Sequence, residues 1–392
     1  MPRTGSPLEV LRAFLKLGLT SFGGPIAHIG YYREEIVVRR RWIDEAAYAD
    51  LVALCQFLPG PASSQVGFSL GLIRAGYWGG LAAWTGFTLP SAILLTAFAY
   101  GASALGGPVG MGVIHGLKLV AVAIVAQAVW GMARTLCPDR QRASIASVAA
   151  LMILFSTSSV VQIGTIVMGG LAGFWLCRTS APTSTASLGA PVSRRVGIIA
   201  LTTYLVLLVA LPALGRISQS VELFDAFYRS GALVFGGGHV VLPLLSKAFV
   251  TPGWVSEDTF LAGYGAAQAV PGPLFTFAAY LGAVATPSPH AVAGAAVGLI
   301  GIFLPGFLVL LGTLPFWDVF RQRVGAQAIM RGINAAVVGL LGAALYNPLW
   351  ISSVKSSADF AIALTGFILL IAWRAPPLLV VILGALAGVA FV

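Results

Sequence analysis

The sequence predicts an all-α polytopic membrane protein: two inverted-topology repeats with broken, re-entrant helices, joined by one extra transmembrane helix. Three observations predict it. Of 392 residues, 58% are hydrophobic and only 9% charged, with a mean hydropathy of +0.91, whereas a soluble globule carries about 25% charged residues. Next, Gln56-Phe57-Leu58-Pro59-Gly60-Pro61 recurs as Gln268-Ala269-Val270-Pro271-Gly272-Pro273. Two further echoes precede it in the same order, Phe22-Gly23-Gly24-Pro25 with His28 against Phe235-Gly236-Gly237-Gly238 with His239, and Trp42-Ile43-Asp44-Glu45 against Trp254-Val255-Ser256-Glu257. Ordered echoes of this kind mark an internal repeat. Finally, the apolar segment 195–214 has no counterpart, and one unpaired span between two six-segment halves turns the second half over in the membrane. The predicted units are a first repeat over 1–178, a linker with the extra helix over 179–220 and a second repeat over 221–392.

The elements follow in order. Residues 8–21 form a short stretch that Phe22-Gly23-Gly24-Pro25 interrupts, and 26–38 resumes as a helix flecked with His28, Arg33, Glu34 and Glu35. Glu9, Arg12 and Lys16 break the first apolar run, so the N-terminus is expected to stay rather than leave as a signal peptide. After Arg39-Arg40-Arg41, Asp44 is a good N-cap and Glu45 suits a first turn, so a helix is expected from there to Leu58. At 1.5 Å per residue it covers roughly 21 Å, short of the ~30 Å hydrocarbon core. Pro59 cannot continue the ladder, Gly60 allows a positive φ, and Pro61 suits the first turn of a new helix over 61–73, ending at Arg74. Ordinary spans follow at 78–101, 109–133, 143–158 and 160–177. A linker rich in Ser, Thr, Ala and Pro, 179–193, leads to the unpaired span. The second half then repeats the pattern with its own broken pair and segments at 290–314, 327–346, 358–373 and 376–392. Leu304-Pro305 echoes Leu89-Pro90, and Gly332 falls opposite Gly116.

The basic residues choose between spanning and re-entrant broken elements. If every segment spans, Arg33, Arg39, Arg40 and Arg41 fall outside, against the positive-inside tendency; as re-entrant hairpins they join most other arginines inside. The hairpin reading places the N-terminus in the cytoplasm and the C-terminus outside, and lets all four breaks line one cavity. The net charge of +10 then reflects cytoplasmic loops, with no basic-aromatic cluster pointing to nucleic acid. It also favours an anionic solute. Cys55, Cys137 and Cys177 form neither a disulfide framework nor a metal-ligand pattern.

The chemistry is expected at the breaks. Each leaves a half-helix whose first N–H groups are unsatisfied and partly positive, a ready anion site. The candidate residues are Gly23, Gly24, Pro25, His28, Gln56, Pro59, Gly60, Pro61, Ser63 and Ser64 in the first half. Their second-half counterparts are Gly236, Gly237, Gly238, His239, Gln268, Pro271, Gly272, Pro273 and Thr276. Hydroxyls and amides would donate to a tetrahedral dianion of the sulfate type, and the two histidines would supply switchable charge. Read singly, one Gly-Pro break serves close helix packing; four in two matched pairs point to a site. Lys118 lies well inside its segment with nothing acidic near in sequence, so it is either functional or snorkels to an interface. In the repeat it falls opposite Asn334, and His115 opposite Arg331, which adds Arg331 and Asn334 to the candidates. Asp50 is a candidate proton carrier. No nucleotide loop, HExxH or nucleophile motif appears, so an enzyme is not expected, nor a cofactor or metal.

Two halves, each with Phe-Gly-Gly near its start, then Trp-[Ile/Val]-x-Glu and Gln-x-x-Pro-Gly-Pro, resemble the chromate ion transporter (CHR) family in its long, two-domain prokaryotic form. The resemblance covers nearly the whole chain. It implies a multi-pass protein of the prokaryotic plasma (inner) membrane that exports chromate from the cytoplasm and confers chromate resistance, coupled to H+ or to the membrane potential; rocking of the halves in alternating access is the movement expected of inverted repeats. Sulfate or another oxyanion satisfies the same motifs. So does, less well, a non-transport membrane protein. The second half departs by having Gly238 where the first has Pro25, and His239 two residues earlier in register than His28, which argues against a strictly symmetric site. Assembly as a homo-oligomer is left open by the sequence.

Overall fold

The computed structural model describes residues 5–102, 107–155, 159–178, 192–215, 217–235, 240–317 and 323–391. All regular structure among them is helical. The chain opens with α1 (Pro7–Thr20), α2 (Gly24–Tyr32, continued by a π-helical stretch Arg33–Arg39), α3 (Glu45–Phe57) and α4 (Ala62–Ala102). α5 (Gly107–Leu136), α6 (Arg140–Leu154) and α7 (Ser159–Leu176) complete the first half. α8 (Arg194–Leu214) is the unpaired helix. The second half has α9 (Gln219–Ala232), α10 (Val241–Leu245, with a π-helical continuation Ser246–Val250), α11 (Glu257–Ala269) and α12 (Phe277–Val284). It closes with α13 (Ala291–Thr313), α14 (Val324–Ala344), α15 (Ser357–Ile371) and α16 (Pro377–Phe391).

Five helical stretches among the described residues are long and apolar enough to cross a membrane: Ala62–Gly101, Val109–Leu136, Arg194–Leu214, Ala291–Phe316 and Val324–Ser353. Large apolar side chains such as Ile199, Leu205, Val209 and Leu386 stand exposed on the outside, the surface expected where lipid is the solvent. Asp44 caps α3, its Oδ1 accepting from the Ala47 N–H at 2.8 Å, as its position before the helix requires. α4 is two helices in one: Ala75 (φ −138°) and Gly76 (φ 69°, ψ −161°) turn the chain after the Ala62–Arg74 leg, where the sequence places the break.

Contacts at the outer edge show where the broken elements begin and end. Arg74, at the end of the first α4 leg, donates to Glu9 in the first turn of α1 at 3.1 Å, and its guanidinium lies 5.2 Å from the ring of Trp42, between α2 and α3. The start of α1, the α2–α3 loop and the α4 turn therefore share one edge. The second half closes likewise: the Thr286 N–H donates to Trp254 O at 3.1 Å, and the Ser288 N–H to Gln219 Oε1 at 3.2 Å. In each half the broken elements turn inward and come back to the edge from which they start.

The two halves interlock. α7 and α6 of the first pack on α14 of the second, while α16 and α15 of the second pack on α5 of the first. Glycines make these crossings close: Gly112 and Gly116 of α5 meet Gly388 and Gly384 of α16, and Gly332 of α14 meets Gly169 and Gly173 of α7, backbones in direct contact as in small-xxx-small pairs. The broken elements form an inner bundle, in which α1 packs on α4, α9 on α13, and α12 on both α4 and α13.

Candidate functional site

The break loops of the two halves cross. The Gly60 N–H donates to Val234 O at 2.7 Å, and the Gly272 N–H donates to Ser21 O at 2.9 Å. These are equivalent bonds, because Ser21 and Val234 each stand just before a Phe-Gly-Gly element. Gly60 (φ 117°) and Gly272 (φ 101°) are both left-handed, a conformation that glycine adopts without cost. Neither position has room for a side chain: a Cβ on Gly60 would lie 2.8 Å from Gly306 Cα, and one on Gly272 2.8 Å from Ser91 Oγ. Gly306 and Ser91 follow the paired prolines Pro305 and Pro90. Phe87 lies ten residues beyond Tyr77, which at 1.5 Å per residue is about 15 Å from the α4 turn.

Around this crossing the first half is polar. His28 is fully buried, its Nδ1 3.3 Å from Ser63 Oγ and its ring edge-on to Phe87 at 5.1 Å. Its Nε2 has no hydrogen-bond partner, and neither do the buried hydroxyls of Ser64, Tyr32 and Ser21. Ser63 and Ser64 lie in the first turn of α4, whose opening N–H groups have no intrahelical acceptor; Gln65 is the first to find one, donating to Pro61 O at 2.9 Å. Gln65 also straps the crossing together, its Nε2 donating to Pro59 O and to Gly306 O, each at 2.9 Å. Gly23 enters α2 left-handed (φ 99°) and Pro25 sits in its first turn.

Among the described residues the second half is mostly apolar at the equivalent place. After Pro271 and Pro273, Leu274–Thr276 forms a 3-10 turn before α12 begins. Thr276 turns its hydroxyl onto its own backbone, donating to Pro273 O at 2.7 Å, so it offers nothing outward. Gln268 is half-buried with Nε2 unpartnered. Gln56 is exposed at the end of α3. Gly236, Gly237, Gly238 and His239 lie outside the described residues.

Lys118 and Arg331 are engaged elsewhere. Lys118 of α5 pairs with Asp258 in the first turn of α11 at 2.7 Å, its side chain 11% and that of Asp258 72% exposed. Asp258 and the Pro271 break stand at opposite ends of α11, about 18 Å apart at 1.5 Å per residue. Arg331 donates to Cys177 O at 3.0 Å and to Gln327, at the packed end of α7. Asn334, on the same helix, has an unpartnered Oδ1. Asp50 is buried on α3. Among the described residues no cluster of three or more His, Cys, Asp or Glu could hold a metal ion.

Sequence reasoning gave the Gln65 side chain no role within the candidate helix start Ala62-Ser63-Ser64-Gln65, and did not single out Ser91, Gly306, Ser21 or Val234. Gln65 and Ser21 adjoin quoted motifs, and Ser91 and Gly306 follow the echoed Leu-Pro pairs, so adjacency to a repeated break was the signal available.

The model of the family described as chromate transporter matches the chain twice, over residues 8–174 and 221–389. A probable chromate transport protein of Synechococcus elongatus is 27% identical over 98% of this chain and 95% of its own length. A chromate transport protein of Pseudomonas aeruginosa is 28% identical over 93% and 87%, and one of Cupriavidus metallidurans 25% identical over 86% and 81%. No solved structure matches.

Proposed function

Since the chain belongs to the chromate transporter family, we propose that it exports chromate from the cytoplasm as a secondary transporter and so confers chromate resistance. The observation that supports this most is the match of both halves to the same family, each with its breaks at the crossing. The anion would bind at the start of α4, against the free N–H groups of the first turn, Ser63, Ser64 and His28. A helix start of this kind favours an anion by about 0.3–2 kcal/mol, and it does so without the ~2.5–3.5 kcal/mol cost of a lysine or arginine at the bilayer centre. The second-half break would act mainly as the clamp that holds the first. We place the protein in the prokaryotic plasma membrane with the N-terminus inside and the C-terminus outside, the two repeats in inverted topology. The proton gradient or the membrane potential would drive it.

Sulfate is also a tetrahedral dianion, and the donors named do not separate the two. Uptake of labelled chromate into everted membrane vesicles tests the reading, with excess sulfate as competitor and a Pro59→Ala/Pro271→Ala double variant as control. Chromate should accumulate under an imposed gradient with the wild type and much less with the variant; suppression by sulfate would widen the substrate to oxyanions generally. Well-folded wild type that accumulates no chromate under any gradient sinks the assignment.

A further inference from the structure

We infer that His28 takes up a proton when an oxyanion occupies the start of α4, so that the transported unit is the anion plus one proton. This rests on the reading of that helix start as the anion site. The ring is fully buried, one nitrogen meets Ser63 Oγ at 3.3 Å, and the other has no hydrogen-bond partner. Ser63 and Phe87 of α4 and the Ser21 backbone face the ring, and none of them is charged. Tyr32 lies one turn further along α2 on the same face. From α3 come Tyr48, whose hydroxyl donates to Ile29 O at 2.6 Å, and the buried Asp50.

In the empty site an imidazolium would stand buried beside the positive end of α4, with the burial and the helix dipole both opposing its charge. A tetraoxo dianion at the same place reverses the balance, because its charge compensates both the helix end and the ring, and an N–H on the unpartnered nitrogen finds an acceptor. Binding and protonation are then reciprocal: the anion raises the ring's proton affinity by the factor by which the proton raises the anion's. The ring nitrogen gains the proton from solvent and no other bond changes. A dianion so accompanied crosses with one net negative charge, so an inside-negative membrane potential drives its export, while the accompanying proton runs against an inward proton gradient.

The chain holds four histidines, so the imidazole nitrogens can be followed one by one by 15N NMR of histidine-labelled protein in lipid nanodiscs, titrated with and without saturating chromate. The His28 signals are those lost in His28→Gln, and a variant lacking only His115 and His290 simplifies the assignment while keeping both break histidines. The titration midpoint of His28 should rise by at least one pH unit with chromate, a tenfold or greater coupling. Chromate binding with an unmoved midpoint overturns the inference and leaves the transport reading standing. Chromate that neither binds nor is transported overturns both.

Discussion

Two glycines hold the crossing, and both are irreplaceable for the same reasons. Gly60→Ala must place a Cβ against Gly306 in a left-handed backbone, a combination that costs about 1–3 kcal/mol or more. We expect a lower thermal midpoint and lost transport, while Gly342→Ala, helical and with open space at its Cβ, should leave both unchanged; equal behaviour of the two variants would refute the packing argument. A second test concerns Asp139, in the α5–α6 loop, which accepts from the Arg142 N–H at 2.9 Å and from its Nε at 2.6 Å. The side-chain and backbone bonds from Arg142 hold its carboxyl below the ordinary carboxylate range. A lowered folded pKa gives stability that is present above the unfolded value of about 3.9 and lost as pH falls through the folded one. Hence Asp139→Asn, which keeps a cap, should be less stable than wild type at pH 7 and equal to it in strong acid, and Asp139→Ala should lose about 1 kcal/mol more. At this scale the sequence made Gly60, Gly272 and His28 legible, since a repeated Pro-Gly-Pro or a histidine beside a break is a local signal. Val234, Gly306 and Asp258 were illegible because each acts on a residue of the other half, and spacing along the chain does not encode that distance.

Among the elements, α4 shows how a single position sets a path. Gly76 holds φ 69° with ψ −161°, a region essentially closed to residues with a Cβ. Gly76→Ala should straighten or misplace the turn and release Arg74 from Glu9 and Trp42; limited proteolysis of the 74–78 region in membranes, with faster cutting in the variant, would report it. The breaks themselves were readable because Pro and Gly terminate helices by a backbone mechanism independent of tertiary context. The π-helical stretch after Tyr32 was not, since Arg33, Glu34 and Glu35 fit any helix. What holds Glu35 there is tertiary: Lys16 donates to it at 3.1 Å and Arg40 at 2.9 Å. The 3-10 start of α12 escaped for a similar reason, as Leu274-Phe275-Thr276 differs from Ala62-Ser63-Ser64 only in side chains.

On the scale of the whole molecule, the exchange of helices between halves makes each depend on the other. Chains ending before and starting after 179–191 should copurify when expressed together and be degraded when expressed alone, and survival of either fragment by itself would count against the interlock. The pair Lys118–Asp258 joins α5 to α11, so it ties the outer helices to the inner bundle. A double-mutant cycle on thermal stability should give a coupling of about 0.5–1 kcal/mol; zero would show that the two residues act separately. The crossed bonds of Gly60 and Gly272 fasten the broken elements of both repeats into one body, and the glycine crossings fasten α5–α7 and α14–α16 into another. The seam between those bodies therefore runs across the order of the chain rather than at its midpoint. A cut through the middle of the chain would therefore tear helices out of both bodies, as clasped hands pulled apart bend the fingers of each.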